Sequence, residues 1–287
     1  MFLTLVIIST IYSATLQDAY NEANSMYGYD KYIILNSDSI YYGGLGLYEG
    51  DIFIDGRGAI IDLQAGNGIW IYSDEYYPCS LTIQYSTILN GAYYGLSFGG
   101  NSTGSVENCN FVNNDMGIKL YDESNVNITN SNFIDNITYG IGIYTEEPIC
   151  NISYCNSWNN GEYDFMENCP GWGNIWTPWE PNPGIELIYQ DPKFIDIDNL
   201  NFGYLESSPC IDAGNPEQLD LDGSIRDIGA NYISNILEGD CNSDNEQNII
   251  DVVYNLNNCI IDELIESCQC SDMNGDNEFN ILDIVML

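Results

Sequence analysis

Histidine is absent from this chain of 287 residues, and cationic side chains number only five: Lys31, Arg57, Lys119, Lys193 and Arg226. Against them stand 43 Asp and Glu, a formal charge of −38. Phosphate backbones and anionic membrane surfaces are repelled by such a chain, which excludes nucleic acid as a partner. Long hydrophobic runs are missing too. The most apolar stretch, Phe2 to Ala14, holds about a dozen such residues, too few to span a bilayer. It ends in small residues as a secretory signal does, so residues 1–14 read as a signal and the protein as exported to the outside or the cell surface. No Lys or Arg precedes it, which leaves open a buried first strand or a truncated gene start. No helical period survives for a dozen residues between Tyr29 and Tyr232. What the chain does have is 45% apolar residues, enough for one large core and a small second domain. Its 23 tyrosines and five tryptophans offer stacking faces to neutral polymers, and its acidic clusters attract metal cations.

Ten cysteines agree with an oxidising compartment, but their spacing does not describe a compact disulfide knot. Cys79, Cys109, Cys150, Cys155, Cys169 and Cys210 are scattered, while Cys241, Cys259, Cys268 and Cys270 crowd the end. The last four are the best candidates for bridging, because a module of some fifty residues has little core of its own. Connectivity stays open. Zinc is the competitor there, disfavoured by the short Cys268-Gln-Cys270 spacing and the lack of histidine.

The middle of the chain repeats. Asn108-Cys-Asn-Phe-Val-Asn-Asn-Asp-Met-Gly117 aligns with Asn130-Ser-Asn-Phe-Ile-Asp-Asn-Ile-Thr-Tyr-Gly140 and with Tyr154-Cys-Asn-Ser-Trp-Asn-Asn160. Asn110, Asn132 and Asn156 share one position, with Thr87 preceding them, at shifts of 23, 22 and 24 residues. Within each unit β-branched and aromatic residues alternate with polar ones between Asn, Gly and Asp turns, which is strand patterning. An all-β solenoid of one coil per unit explains the period, and the recurring turn asparagine is expected to stack on its copy in the next coil.

These residues resemble the right-handed parallel β-helix proteins of the pectin-lyase-like fold. Asp51-Ile-Phe-Ile-Asp-Gly-Arg-Gly-Ala-Ile-Ile-Asp62 looks like an early coil, and Gly68-Ile-Trp-Ile-Tyr72 follows as the next strand. Asp191 to Phe202, Ser208 to Pro216 and Asp227-Ile-Gly-Ala230 are similar to the final coils of exported bacterial members. The segment Cys169 to Gly184, with three tryptophans and four prolines, breaks the repeat and reads as a loop leaving the wall, either to stack on sugars or to cover an apolar surface. Sequons at Asn101, Asn127, Asn136 and Asn151 are expected by chance in so Asn-rich a chain.

The end of the chain carries two twelve-residue loops of calcium-binding pattern. In the first, Asp240, Asn242, Asp244, Asn248 and Asp251 place side-chain oxygens at positions 1, 3, 5, 9 and 12, with the carbonyl of Glu246 at position 7. In the second, 32 residues on, Asp272, Asn274, Asp276, Glu278, Asn280 and Asp283 fall at the same places. A hard cation takes such an oxygen cage, so two Ca²⁺ ions are expected and no other cofactor. Asp at position 12, and the apolar segments Val252 to Leu256 and Ile284 to Leu287 that follow, make the pair look like a type I dockerin. That resemblance implies a small α-helical, calcium-folded module that docks onto a cohesin-like partner, on enzymes or binding proteins acting on polysaccharides. Asn245 and Asn277 stand at position 6 where the pattern has glycine, Gln247 replaces an apolar residue, and the last helix stops about a turn after its loop.

Lyases of the resembled fold need a base beside an acid sugar, and the five scattered cations supply no Lys and Arg cluster. Hydrolases use paired carboxylates, but no Asp-Asp motif singles out a pair, so no catalytic residue is assigned. The expected organisation is a signal at 1–14, a parallel β-helix at 15–232, a linker at 233–238 and the dockerin-like module at 239–287. The expected function is a carbohydrate-associated surface protein with a polysaccharide ligand, the alternative being a polysaccharide hydrolase or lyase.

Overall fold

The computed structural model describes residues 14–231 apart from 38, 146–147, 169–175, 179–185 and 221–222. The signal-like stretch at 1–13, most of the aromatic loop at 169–184, the linker and both calcium loops lie outside the described residues. The chain divides into two compact units, residues 1–219 with 225–232, and residues 220–224 with 233–287.

The first unit begins with a short helix, α1 (Leu16–Glu22), which sequence periodicity does not reveal because seven residues are too few to show a period. Thr15 caps it: its Oγ1 accepts from the Asp18 amide at 3.0 Å and donates to the Asp18 carboxylate at 2.6 Å. Leu16 is fully buried in the core that the solenoid encloses, so the helix covers the first coil. Strand β1 (Asn24–Met26) follows and pairs antiparallel with the first solenoid strand.

Six coils then succeed one another, each with three strands. They are β2 (Tyr29–Ile34), β3 (Ile40–Tyr42) and β4 (Leu45–Leu47); β5 (Gly50–Asp55), β6 (Ile60–Asp62) and β7 (Ile69–Ser73); β8 (Cys79–Gln84), β9 (Thr87–Leu89) and β10 (Leu96–Gly100); β11 (Thr103–Glu107), β12 (Asn110–Val112) and β13 (Met116–Leu120); β14 (Asn125–Thr129), β15 (Asn132–Ile134) and β16 (Tyr139–Ile143); and β17 (Ile149–Ser153), β18 (Asn156–Trp158) and β19 (Tyr163–Asn168). Like strands stack in parallel, giving a first sheet from β2 to β17, a second from β3 to β18 and a third from β4 to β19. The Asp51 to Asp62 run and the Gly68 to Tyr72 strand therefore lie where the sequence expected them.

In-register stacking puts equivalent side chains on top of each other. Ile54, Ile83, Val106, Ile128 and Ile152 form one buried ladder, and Leu45, Ile69, Leu96, Ile118, Ile141 and Phe165 form another. Phe111 and Phe133 stack with centroids 5.3 Å apart and planes 7° from parallel. Volume is balanced between sheets: a Cβ on Gly104 would run into the Phe98 ring, so the missing side chain in one sheet makes room for the large one across the core.

The corners explain the asparagines. Between the first and second sheets, Tyr85, Asn108, Asn130 and Tyr154 take left-handed φ values of 47 to 51°, and the buried Ser86, Cys109, Ser131 and Cys155 follow them. Between the second and third, Asn90, Asn113, Asp135 and Asn159 do the same at 52 to 62°. Asn and Asp enter this region more readily than other residues with a Cβ. The next residue after each of the last three turns inward. Asn136 Nδ2 donates to Asn160 Oδ1 at 2.9 Å, Asn114 Nδ2 to Asn136 Oδ1 at 3.3 Å, and the Gly91 amide to Asn114 Oδ1 at 2.8 Å.

The stacking expected of Asn110, Asn132 and Asn156 is present, though these residues open short strands and do not sit in turns. Asn156 Nδ2 donates to Asn132 Oδ1 at 3.1 Å, Asn132 Nδ2 to Asn110 Oδ1 at 2.9 Å, and Asn110 Nδ2 to Thr87 Oγ1 at 3.1 Å. All three asparagines are buried because the chain after the last coil comes back across the second sheet. Here the expectation of final coils is corrected. The described residues between 188 and 231 form no further coil but a cover built from β21 (Phe194–Asp196), a 3₁₀ turn (Ile197–Asn199), the antiparallel β22 (Asn201–Tyr204) and turns. Phe194, Ile197, Leu200 and Phe202 pack on Leu89, Val112 and Ile134 of the second sheet. Pro192 and Pro209 lack the amide a ladder strand needs, and the 3₁₀ turn reverses the chain. The Asp227 to Ala230 motif ends this cover: Gly229, at φ +98°, lies against Asn110, Asn132 and Tyr204 where any Cβ would collide. From the described part of the aromatic loop, β20 (Trp176–Pro178) pairs antiparallel with β19.

Candidate functional site

With the second sheet covered, the third sheet presents an outward row that runs across all six coils in register: Gly46, Trp70, Ser97, Lys119, Gly142 and Met166. The alternation of the strands forces this row outward, since its neighbours Leu45, Ile69, Leu96, Ile118 and Ile141 are buried inside. The small residues in and beside the row let aromatic rings lie down on the sheet. A Cβ on Gly46 would sit 3.2 Å from the Tyr48 ring, one on Gly142 3.2 Å from the Tyr144 ring, and one on Gly99 would overlap the Tyr121 ring.

The result is an aromatic wall. Trp70 packs edge to face with Tyr48 at 5.2 Å between centroids, tilts against Tyr72 at 6.4 Å, and donates its indole Nε1 to the Tyr121 hydroxyl at 2.7 Å. Lys119 continues the wall, with Nζ 4.5 Å from the Tyr144 centroid, 5.3 Å from Tyr121 and 5.9 Å from Tyr94. Burial pulls its ammonium below the usual lysine range, and burial likewise raises the hydroxyls of Tyr94, Tyr121 and Tyr144. Between Trp70 and Lys119 the Ser97 hydroxyl is 1% exposed and has no hydrogen-bond partner among the described residues. At one side of the wall Tyr139 donates to Glu162 at 3.1 Å, and burial together with that carboxylate pushes its hydroxyl up to about 12. The Asp115 carboxyl nearby is raised by burial and by the Glu162 charge, against a lowering bond from Thr138.

The other four cations serve the fold. Lys31 Nζ donates to the Ala23 carbonyl at 2.7 Å behind α1, and Arg57 pairs with Asp55 at 3.4 Å. Lys193 binds the Ser207 carbonyl at 2.9 Å, and Arg226 binds the Leu219 carbonyl at 2.9 Å. Lys119 alone of the five has no carboxylate or carbonyl partner among the described residues. Cys79, Cys109, Cys150, Cys155 and Cys210 are free thiols, inward or covered, and burial raises each of them. Cys109 and Cys155 alternate with Ser86 and Ser131 at one corner, all four of them buried. Sequence reasoning noted Lys119 but not its cage. The available signal was the pairing of a glycine with a tyrosine two residues on, as in Gly46-Leu-Tyr48 and Gly142-Ile-Tyr144.

Among the described residues no group of three or more Cys, Asp or Glu gathers to hold a metal, and the twelve candidate calcium ligands fall outside them. Nor is any described helix long and apolar enough to cross a membrane. No curated protein matches the chain. Its residues 19–192, more than half of its length, match the family model described as right handed beta helix region. A parallel three-sheet solenoid with asparagine ladders and that match together establish that the chain belongs to the right-handed β-helix family.

Proposed function

We propose that this is an exported, carbohydrate-associated β-helix protein that lays a neutral glycan along the aromatic wall of the third sheet. The observation that carries the reading is the Trp70, Ser97, Lys119 row framed by Tyr48, Tyr72, Tyr94, Tyr121 and Tyr144. Sugar rings have apolar C–H faces that stack on such rings, and their hydroxyls would meet the Lys119 ammonium at the same surface. A charge of −38 favours a neutral polymer over a polyanion. Affinity electrophoresis of the whole chain through gels of neutral polysaccharides is the test. Replacing Trp70 and Tyr121 together with alanine should weaken retention at least tenfold; a folded double variant that is retained equally, or no retention by any polymer, sinks the idea.

The enzyme reading keeps one supporting observation, the Asp115 carboxyl raised by burial and by the Glu162 charge, since a general acid has to hold its proton. Release of reducing ends or unsaturated sugar, lost on Asp115→Asn, would favour it over binding alone. Residues 239–287 complete the proposal as a dockerin-like module. Asp240, Asn242, Asp244, Glu246, Asn248 and Asp251, and the matching set from Asp272 to Asp283, are all oxygen donors and fit a hard cation, so they would hold two Ca²⁺ ions whose role is to fold the module for a cohesin-like partner.

A further inference from the structure

A second site lies on a different face, at the end of the second sheet. There an outward apolar ladder runs Leu89, Val112, Ile134, Trp158, each residue in register with the next. Phe194, Ile197, Leu200 and Phe202 of the returning chain cover the first three rungs. The fourth, Trp158, stays 41% exposed and lines a cavity of about 410 Å³ together with Ile134, Asp135, Asn159, Asp191 and Lys193.

The polar lining is arranged and acidic. Asp135 Oδ1 accepts from Asn159 Nδ2 at 2.5 Å, and Asp191 Oδ1 accepts from the Lys193 amide at 2.9 Å. Each carboxylate so held keeps its second oxygen without a partner among the described residues. Lys193 makes no ion pair with either among the described residues, its Nζ donating to the Ser207 carbonyl and hydroxyl. Asp135, Asn159 and Lys193 are locked by left-handed backbone at φ 54 to 55°, so the lining is fixed by the turns of the solenoid and the cover.

We infer that this cavity is a binding site for one or two rings of a neutral sugar, stacked on Trp158 and hydrogen-bonded through hydroxyls to Asp135, Asn159 and Asp191. Carboxylate oxygens accept from vicinal hydroxyls, an indole face takes the C–H face of a pyranose, and an anionic sugar is repelled by the two aspartates. The volume sits at the low end of the ~300–1,000 Å³ typical of small-molecule pockets, which suits a chain end and not the run of a polymer. This inference shares a carbohydrate ligand with the proposed function but rests on other residues.

The test uses the whole chain with 5-fluorotryptophan, its ¹⁹F resonances assigned by single Trp→Phe changes, titrated with cellobiose, xylobiose and mannobiose and with glucuronic acid as an anionic control. At least one neutral disaccharide should move the Trp158 resonance to saturation, and glucuronic acid should not. Calorimetry should show that binding is lost in Trp158→Ala, falls about tenfold in Asp191→Asn, which keeps the bond to the Lys193 amide, and stays within about threefold in Trp158→Phe. Trp70→Ala should leave the Trp158 response intact, which separates this cavity from the aromatic wall. A Trp158 resonance unmoved by all three disaccharides, or undiminished affinity in Asp191→Asn and Trp158→Ala, overturns the inference.

Discussion

Asn132 ties together parts of the chain that are far apart in sequence. Its amide donates to Asn110 and to the Tyr204 hydroxyl at 2.8 Å, while its carbonyl accepts from Asn156. Burial without these partners would be expensive, since each orphaned polar group costs about 1–3 kcal/mol. Asn132→Leu should therefore lower the unfolding free energy by on the order of 3 kcal/mol, measured by urea denaturation, whereas Asn151→Leu, on the exposed face of the first sheet, should change it by under about 0.5 kcal/mol. The thiols are a second residue-scale case. Burial pushes Cys109 and Cys155 up to about 12 from 9.0, so the folded chain holds the proton that the unfolded chain gives up. Their contribution is whole below pH 9 and is lost as the pH climbs from 9 to 12. The Cys109→Ser, Cys155→Ser double variant should accordingly show a shallower fall in thermal midpoint across that window, and a fall as steep as the parent's would show that these thiols do not set it.

At the scale of elements, the cover over the second sheet is held where Gly229 meets the asparagine rungs. A methyl there would strike Asn132 and Tyr204 and would also strain a residue at φ +98°. Gly229→Ala should loosen residues 188–231 and leave the coils intact, which limited proteolysis will register as early cleavage within the cover and a surviving fragment spanning residues 29–168. The coils themselves were legible because their spacing of 22 to 24 residues and the Asn turns are local properties of the sequence. Helix α1 was not, being a single capped element of about two turns. The cover was misread as coils because its contacts with Asn108, Asn110 and Asn130 bridge some 85 to 121 residues and leave no periodic trace. The aromatic wall fell between these cases. Its residues alternate correctly for strands, but which rings share a face depends on the stacking order of sheets, which only the three-dimensional register supplies.

For the whole molecule, charge and calcium belong together. A chain at −38 repels itself, and the last 49 residues would place two divalent cations among many of its carboxylates. Calcium added to the metal-free protein should release heat, raise the helical signal of its circular dichroism, and do so with two ions per chain; the Asp240→Ala, Asp272→Ala variant should lose both responses. The β-helix signal should not change, because none of the proposed ligands lies in the coils. If calcium produces neither heat nor helix, the docking module is not folded by metal and the proposal for that unit fails.

The returning cover also limits how this lineage can change length. Solenoids ordinarily gain or lose whole coils by duplication or deletion with little penalty, because each coil touches only its neighbours. Here one segment spans the Asn110, Asn132 and Asn156 rungs at once, with Gln190 on the last, Tyr204 on the middle and Ala230 on the first. A coil inserted between any two of these would slide the rungs apart by one strand spacing, about 4.8 Å, and unseat the cover. Growth is thus confined to the coils before Ser86, ahead of the first rung that the cover packs on, and relatives of different length should vary there while keeping the four covered coils, those of Leu89, Val112, Ile134 and Asn156, as a fixed set.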